Sequence, residues 1–232
     1  MGIRMDIKSG NTIAGLAERR RVRLVLASQS PRRKELLTRA GLEPEVIVSG
    51  IPEKTEETEP EKVVMDLSGQ KAEHVADELN DVQSQAGRPD QKPEAADADG
   101  SDPITLVIGA DTVVCVDGRI LGKPHSHEEA GQMIRLIAGR THQVYSGVTI
   151  LKIDGEKRSR TTWAERTDVS VYPMSDQEIH DYAFSEEPMD KAGAYGIQGA
   201  FGRYIQKIRG DYSSVVGLPV GAVYQNLKKM LQ

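Results

Sequence analysis

Cysteine is nearly missing from this chain, with Cys115 the single one in 232 residues. One thiol excludes an internal disulfide and any cysteine-rich zinc site. Aromatic residues are scarce at 4%, too few for the stacking platforms that grip single-stranded nucleic acid. No apolar segment is long enough to span a bilayer. The basic N-terminus followed by Leu24-Val25-Leu26-Ala27 has the outline of a secretion signal, but the run is short and charges follow at once. A cytoplasmic location is therefore expected. Positive charge is in deficit, at net -5 with a pI near 5.6. That balance argues against broad electrostatic binding to nucleic acid or to an anionic membrane, while leaving room for a local basic pocket. Three familiar templates are absent as well: GxxxxGKS/T, GxGxxG after a strand, and HExxH. Hydrophobic residues reach only 38%, so part of the chain is expected to be polar linker.

What is present begins at Leu24 to Leu37, LVLASQSPRRKELL. A short apolar run reads as a buried strand and stops at Ser28-Gln29-Ser30. Ser30 suits a helix N-cap and Pro31 the first helical position. The chain thus leaves a strand and enters a helix whose bare N–H groups attract anions. Arg32 and Arg33 occupy that first turn, where the helix dipole disfavours cations. A bound polyphosphate would account for them; a capped surface helix with two solvated arginines is the simpler alternative.

Further along, Pro44 to Val48 reads as a second strand, and the spacing from Val63 to Leu79 predicts an amphipathic helix. Asn80 to Pro103 holds almost no large apolar residue and reads as a polar insertion. Residues Met1 to Arg21 read as a polar, basic extension, so the folded unit is expected at 22–232. Ile104 to Ile108 and Val113 to Val116 read as strand, interrupted by Gly109 to Thr112, and Asp117-Gly118 as a hairpin turn. Ser126 with Glu129, and Ser175 with Glu178, each predict a capping box. Two long β-rich runs meet at Asp154-Gly155, Glu186 to Ala200 is a Gly-rich loop, Tyr204 to Ile208 a strand, and Pro219 opens a last helix. Strands of both directions with helices between them predict an α/β domain around one mixed sheet.

Asp111 is the most informative acid. A carboxylate inside VIGADTVVCV is costly unless it is used or paired. It is either a hydrogen-bonded Asp at a β-bulge, or a general base or metal ligand. Lys71, Lys123 and Lys191 would each pass alone for a surface charge. Together with Arg33 and Asp111 they suggest a cationic pocket facing one carboxylate, which suits phosphoanhydride hydrolysis. Glu53 is one of many loop acids, yet with Asp111 it could offer a divalent metal its oxygen ligands.

LASQSPRRKELL, QKAEHVA, VIGADTVV, LGKP, THQVYSGV, EEPMDKAGAYGIQG and GDYSSVVGLP, in this order, resemble the Maf family of nucleotide pyrophosphatases from about Leu24 to the C-terminus. The resemblance implies hydrolysis of a nucleoside triphosphate to the monophosphate and pyrophosphate, with Mg²⁺ or Mn²⁺. It also implies a single elongated α/β domain like that of inosine triphosphate pyrophosphatases, with a central mixed sheet flanked by helices, and a homodimer. Carried over by motif, Asp111 looks like the proton acceptor, Ser30, Arg33, Lys71 and Lys123 like phosphate-binding residues, and Glu53 like a metal partner. Arg32, Thr112 and Gln198 resemble the branch that prefers dTTP and UTP, with modified pyrimidine triphosphates as further substrates in a house-cleaning role. A glutamine amide both donates and accepts, which matches a pyrimidine imide edge. A 7-methyl-GTP pyrophosphatase and a nucleotide-binding regulator of cell division stand as alternatives.

Overall fold

The computed structural model describes residues 22–86 and 103–232. The expected extension, 1–21, and residues 87–102 of the expected insertion lie outside the described residues. The elements run β1 (Val22–Ala27), α1 (Pro31–Arg39), β2 (Glu45–Val46), α2 (Pro60–Ala86), β3 (Ile104–Val116), β4 (Arg119–Leu121), α3 (His127–Ile137), β5 (Thr141–Asp154), β6 (Lys157–Val171), α4 (Asp176–Ala183), β7 (Ile205–Arg209), α5 (Tyr212–Val216) and α6 (Val220–Leu231). Three short 3₁₀ turns, Glu187–Asp190, Ala192–Ala194 and Ala200–Tyr204, fill the stretch between α4 and β7.

One seven-stranded sheet runs β2-β1-β3-β5-β6-β7, with β4 pairing back onto β3. The β1–β2 and β1–β3 pairs are parallel and the rest antiparallel, the mixed α/β architecture that the alternating strand and helix patterns predict. The β3–β4 hairpin turns through Asp117 and Gly118, both at positive φ (50° and 75°), the geometry that matches strand twist and favours Asp-Gly.

Several boundaries differ from expectation. Strand β3 is continuous through Gly109 to Thr112, with unbroken register against β5, so Asp111 sits in regular strand and not at a bulge. The second strand is confined to Glu45–Val46. Helix α2 runs on to Ala86, into the stretch read as insertion. Ser175 and Glu178 form the full capping box. At Ser126 the hydroxyl accepts from Glu129 N, but the Glu129 carboxylate turns to His125 N instead.

Alternation along β3 sets the layers. Val107 packs with Val25, Ala72, Val75 and Ala76 beneath α2. Leu106, Ile108 and Ala110 pack on the other face with Leu37 of α1 and with Val223, Leu227 and Leu231 of α6. Beyond Ala110 a further cluster takes over, with Val114, Val116, α3, α4 and Phe201. Both faces of the strand are thus covered, as its near-continuous apolar run requires.

The register also opens a gap. β1 leaves β3 after the Ala27–Gly109 pair, and β4 joins the same edge at Val114–Leu121. Between them, residues 110–113 have no strand on that edge. The carboxyl end of β1 and the start of α1 lie at this opening, where open α/β sheets collect ligands.

Candidate active site

A cleft of about 930 Å³ occupies the gap. Its walls include Ser28, Ser30, Arg32 and Arg33 from the β1–α1 turn, Glu53 and Lys71 from the β2–α2 side, and Asp111 and Thr112 from β3. Lys123 follows β4, and Lys191, Tyr195 and Gln198 come from the loop before β7. Every residue that the sequence singled out lines this one space.

Close packing of α2 onto the sheet brings Lys71 to Asp111. A Cβ at Gly109 would fall inside contact distance of the Ser68 carbonyl, and one at Gly147 inside that of the Val64 carbonyl. Gly147 is the cross-strand partner of Asp111. Two glycines therefore let the helix backbone lie against the strands on either side of the acid. Lys71 Nζ then donates to Asp111 Oδ1 at 2.7 Å and pairs with Glu53 Oε1 at 2.9 Å. The side chains of Lys71 and Asp111 are each 10% exposed, against 56% for Glu53. A buried carboxylate is costly unless paired, and Lys71 supplies the pair. Burial alone would raise the Glu53 carboxyl; the hydrogen bond and charge of Lys71, with Lys123 and Arg33 behind it, outweigh burial and hold it below 4.5.

Arg33 is fixed rather than free. Its Nε donates to the Gly217 carbonyl at 2.8 Å, Nη1 to Ser28 Oγ at 2.9 Å and Nη2 to Thr112 Oγ1 at 3.2 Å. Burial lowers its pKa, while the charges of Asp111 and Glu53 oppose that shift. Thr112 Oγ1 lies 2.8 Å from Ser146 Oγ, which donates to the Ser214 carbonyl at 2.8 Å. Each hydroxyl has one proton. Ser146 gives its own to Ser214, so Thr112 Oγ1 accepts from Arg33 and has Ser146 Oγ at 2.8 Å and the Gly217 carbonyl at 3.3 Å as acceptors for its proton. The Thr112 hydroxyl is thus engaged in holding Arg33.

Ser30 occupies the N-cap position of α1, yet its side chain makes no capping bond. Its own N–H instead donates to Ser28 Oγ at 3.3 Å. The expected hydroxyl cap is absent, and Ser28, nearly buried, accepts from Ser30 N and from the Arg33 guanidinium instead. Arg32 Nη1 reaches across to Asp190 Oδ2 at 3.1 Å. Lys191 Nζ donates to Asp190 Oδ1 at 2.6 Å and to the Glu187 carbonyl at 2.5 Å, so this lysine is tied to its own turn. Burial pushes the Asp190 carboxyl up, but hydrogen bonds from Lys191 and Arg32 outweigh it and bring it below its ordinary value. Tyr195 bonds through its hydroxyl to Nε2 of His142 at 2.8 Å. His142 is fully buried, and burial depresses its pKa to about 4.

Sequence reasoning missed Ser28, Ser146, Asp190 and the Gly217 carbonyl. Ser28 lies two residues before Ser30 in ASQS and Asp190 next to Lys191 in DKAG, and only the fold separates the holder from the held.

Among the described residues no cluster of three or more His, Cys, Asp or Glu side chains could enclose a metal. Two carboxylates, Glu53 and Asp111, converge on the Lys71 ammonium. Such a pair of hard oxygen donors is what Mg²⁺ commonly takes from protein when substrate phosphates complete its shell.

Comparison with known proteins places a family model, Maf-like protein, over residues 23–230. The dTTP/UTP pyrophosphatase of Agathobacter rectalis is 46% identical over 213 residues, covering 89% of this chain and 97% of that protein. The protein of the same name from Lachnoclostridium phytofermentans is 42% identical over 207 residues, covering 89% and 94%. That from Bacillus cereus is 40% identical over 208 residues, covering 89% and 95%.

Proposed function

Since the chain belongs to the Maf family, we propose that it hydrolyses nucleoside triphosphates, dTTP and UTP foremost, to the monophosphate and pyrophosphate. Modified pyrimidine triphosphates fit the same reading, as a house-cleaning activity. The observation that carries it is a single cleft in which Asp111 faces the two-arginine turn of α1, with Lys71 2.7 Å from the acid.

Asp111 acts as general base. Lys71 holds Oδ1, leaving Oδ2 to take the proton of a water that attacks the α-phosphorus. The bond to the bridging oxygen breaks, and pyrophosphate leaves with the electron pair. Arg33, already oriented by Ser28, Thr112 and Gly217, meets the phosphates with little reorganisation. Lys123 lines the same cleft and adds its charge beside Glu53. Glu53 and Asp111 would hold a divalent cation together with the phosphates, and that ion would offset charge on the departing pyrophosphate. Arg32 and Gln198 read the base, and Thr112 contributes by fixing Arg33. Residues 22–232 form the catalytic unit and work as a homodimer in the cytoplasm. No described helix is long and apolar enough to cross a membrane.

The test is a panel of dTTP, UTP, dCTP, CTP and 7-methyl-GTP with Mg²⁺ or Mn²⁺, with products identified. Pyrophosphate with dTMP or UMP is expected, and a chelator should abolish it. Orthophosphate as the released product would overturn the reading. Faster turnover of 7-methyl-GTP would favour that branch instead, and tight, salt-sensitive DNA binding without turnover would favour a regulator.

A further inference from the structure

Resting on the pyrophosphatase reading, we propose that Asp190 is a positioning residue for base selection. Its carboxylate bridges Arg32 and Lys191 and so sets Arg32 relative to the loop that carries Gln198.

Asp190 ends the 3₁₀ turn Glu187–Asp190, across the cleft from α1. That turn is built to stay in place. The Glu187 carboxylate accepts from Ala200 N at 2.7 Å and from the Tyr182 hydroxyl at 3.0 Å. Lys191 folds back onto the Glu187 carbonyl. Tyr195, three residues before Gln198 in the chain, is anchored to buried His142. Asp190 and Gln198 therefore belong to one braced loop, while Arg32 belongs to α1. The bond from Arg32 Nη1 to Asp190 Oδ2, at 3.1 Å, ties the two walls together through side chains.

The chemistry of the bases gives the tie a use. Thymine and uracil differ from cytosine in presenting a carbonyl where cytosine has an amino group. A glutamine amide can rotate to satisfy either, so alone it discriminates poorly. A guanidinium only donates, and prefers the carbonyl. It discriminates only if it is held, since a long arginine side chain otherwise moves to suit either base. Asp190 engages one terminal nitrogen and leaves the rest of the fork for the cleft. The Arg32 and Asp190 side chains are 31% and 64% exposed, and a pair so exposed contributes little to stability.

The experiment measures kcat/KM for dTTP, dCTP, UTP and CTP with wild type, Asp190→Asn, Asp190→Glu, Arg32→Ala and the double variant Asp190→Asn/Arg32→Ala, with a thermal melt of each. Asp190→Asn should lower the dTTP/dCTP and UTP/CTP ratios by about fivefold or more with a melting midpoint close to wild type. Asp190→Glu should recover part of the ratio. In the Arg32→Ala background the Asn change should alter the ratios no further, because Asp190 acts through Arg32. Unaltered ratios in Asp190→Asn, effects of the two changes that simply multiply, or an unfolded Asp190→Asn protein would each overturn this role. So would a wild type that hydrolyses dTTP and dCTP equally, though the pyrophosphatase reading would then stand. A wild type inert toward all four nucleotides would overturn both.

Discussion

At the scale of single residues, the centre of the site is one ammonium between two carboxylates. Lys71 pairs with both Asp111 and Glu53 from a position 10% exposed, and its removal takes from the buried Asp111 carboxylate the ammonium that pairs with it. Glu53 reports the change. Burial raises its pKa and Lys71 is the main influence that brings it below 4.5. A carboxylate whose folded pKa is depressed adds stability above its unfolded pKa and loses that contribution as pH falls through the folded value. In the wild type, Glu53 therefore stays ionised to lower pH than an ordinary glutamate. In Lys71→Met burial prevails and the carboxyl rises. The acid limb of the kcat/KM profile should then move to higher pH, with a rate loss of about a hundredfold near neutrality. A profile measured from about pH 4 to pH 8 checks this, and an acid limb left in place would show that a Glu53 carboxylate held by Lys71 does not set it.

At the scale of elements, Asp111 and Lys71 are brought together by how closely α2 lies on β3 and β5. Gly109 and Gly147 make room for the helix backbone at the Ser68 and Val64 carbonyls. Gly147→Ala should force α2 outward, cost about 1–3 kcal/mol in stability, and lower kcat more than KM, because the Lys71–Asp111 distance lengthens while Arg33 is held from elsewhere. Thermal melts and steady-state kinetics on the folded variant test it; normal kcat with lowered stability would limit the glycine to packing. The same glycines explain part of what the sequence hid. Small residues at Gly109 and Ala110 read as a break in the strand, whereas β3 is unbroken and Gly109 is where α2 comes close to it. Apolar runs at Leu24 to Leu26 and Ile104 to Ile108 were legible because burial on both faces leaves no polar alternation. Helix α5, only five residues long, gave no periodicity to read. Asp111, Arg33, Lys71 and Lys123 were legible by type and motif, and the structure brings them to one cleft. Ser28 and Asp190 were not, because each acts by holding a neighbour, and a holding role is visible only once partners distant in sequence are adjacent in space.

At the scale of the whole molecule, the chain is acidic, yet its cleft gathers Arg32, Arg33, Lys71, Lys123 and Lys191. Net repulsion of a polyanion is thus overcome locally, and binding should weaken as salt rises. The cleft also lies where one apolar cluster of the sheet gives way to the next. A triphosphate that touches α1 on one wall and the loop before β7 on the other must stabilise both together. The Asp111→Asn variant separates this binding from turnover. It keeps a polar side chain of the same size, loses the base, and should fall by about 10²–10⁴-fold in kcat while still holding nucleotide. With Mg²⁺ and dTTP at a hundred times the dissociation constant, its native state should gain about 2.7 kcal/mol. In a chain of this length that raises the melting midpoint by about 5–10 °C. dTMP should raise it less, and thymidine hardly at all, because the cations address phosphate and not sugar. An equal shift from thymidine would mean that the basic side chains do not hold the phosphates, and a variant that turns over dTTP at the wild-type rate would remove Asp111 from the chemistry.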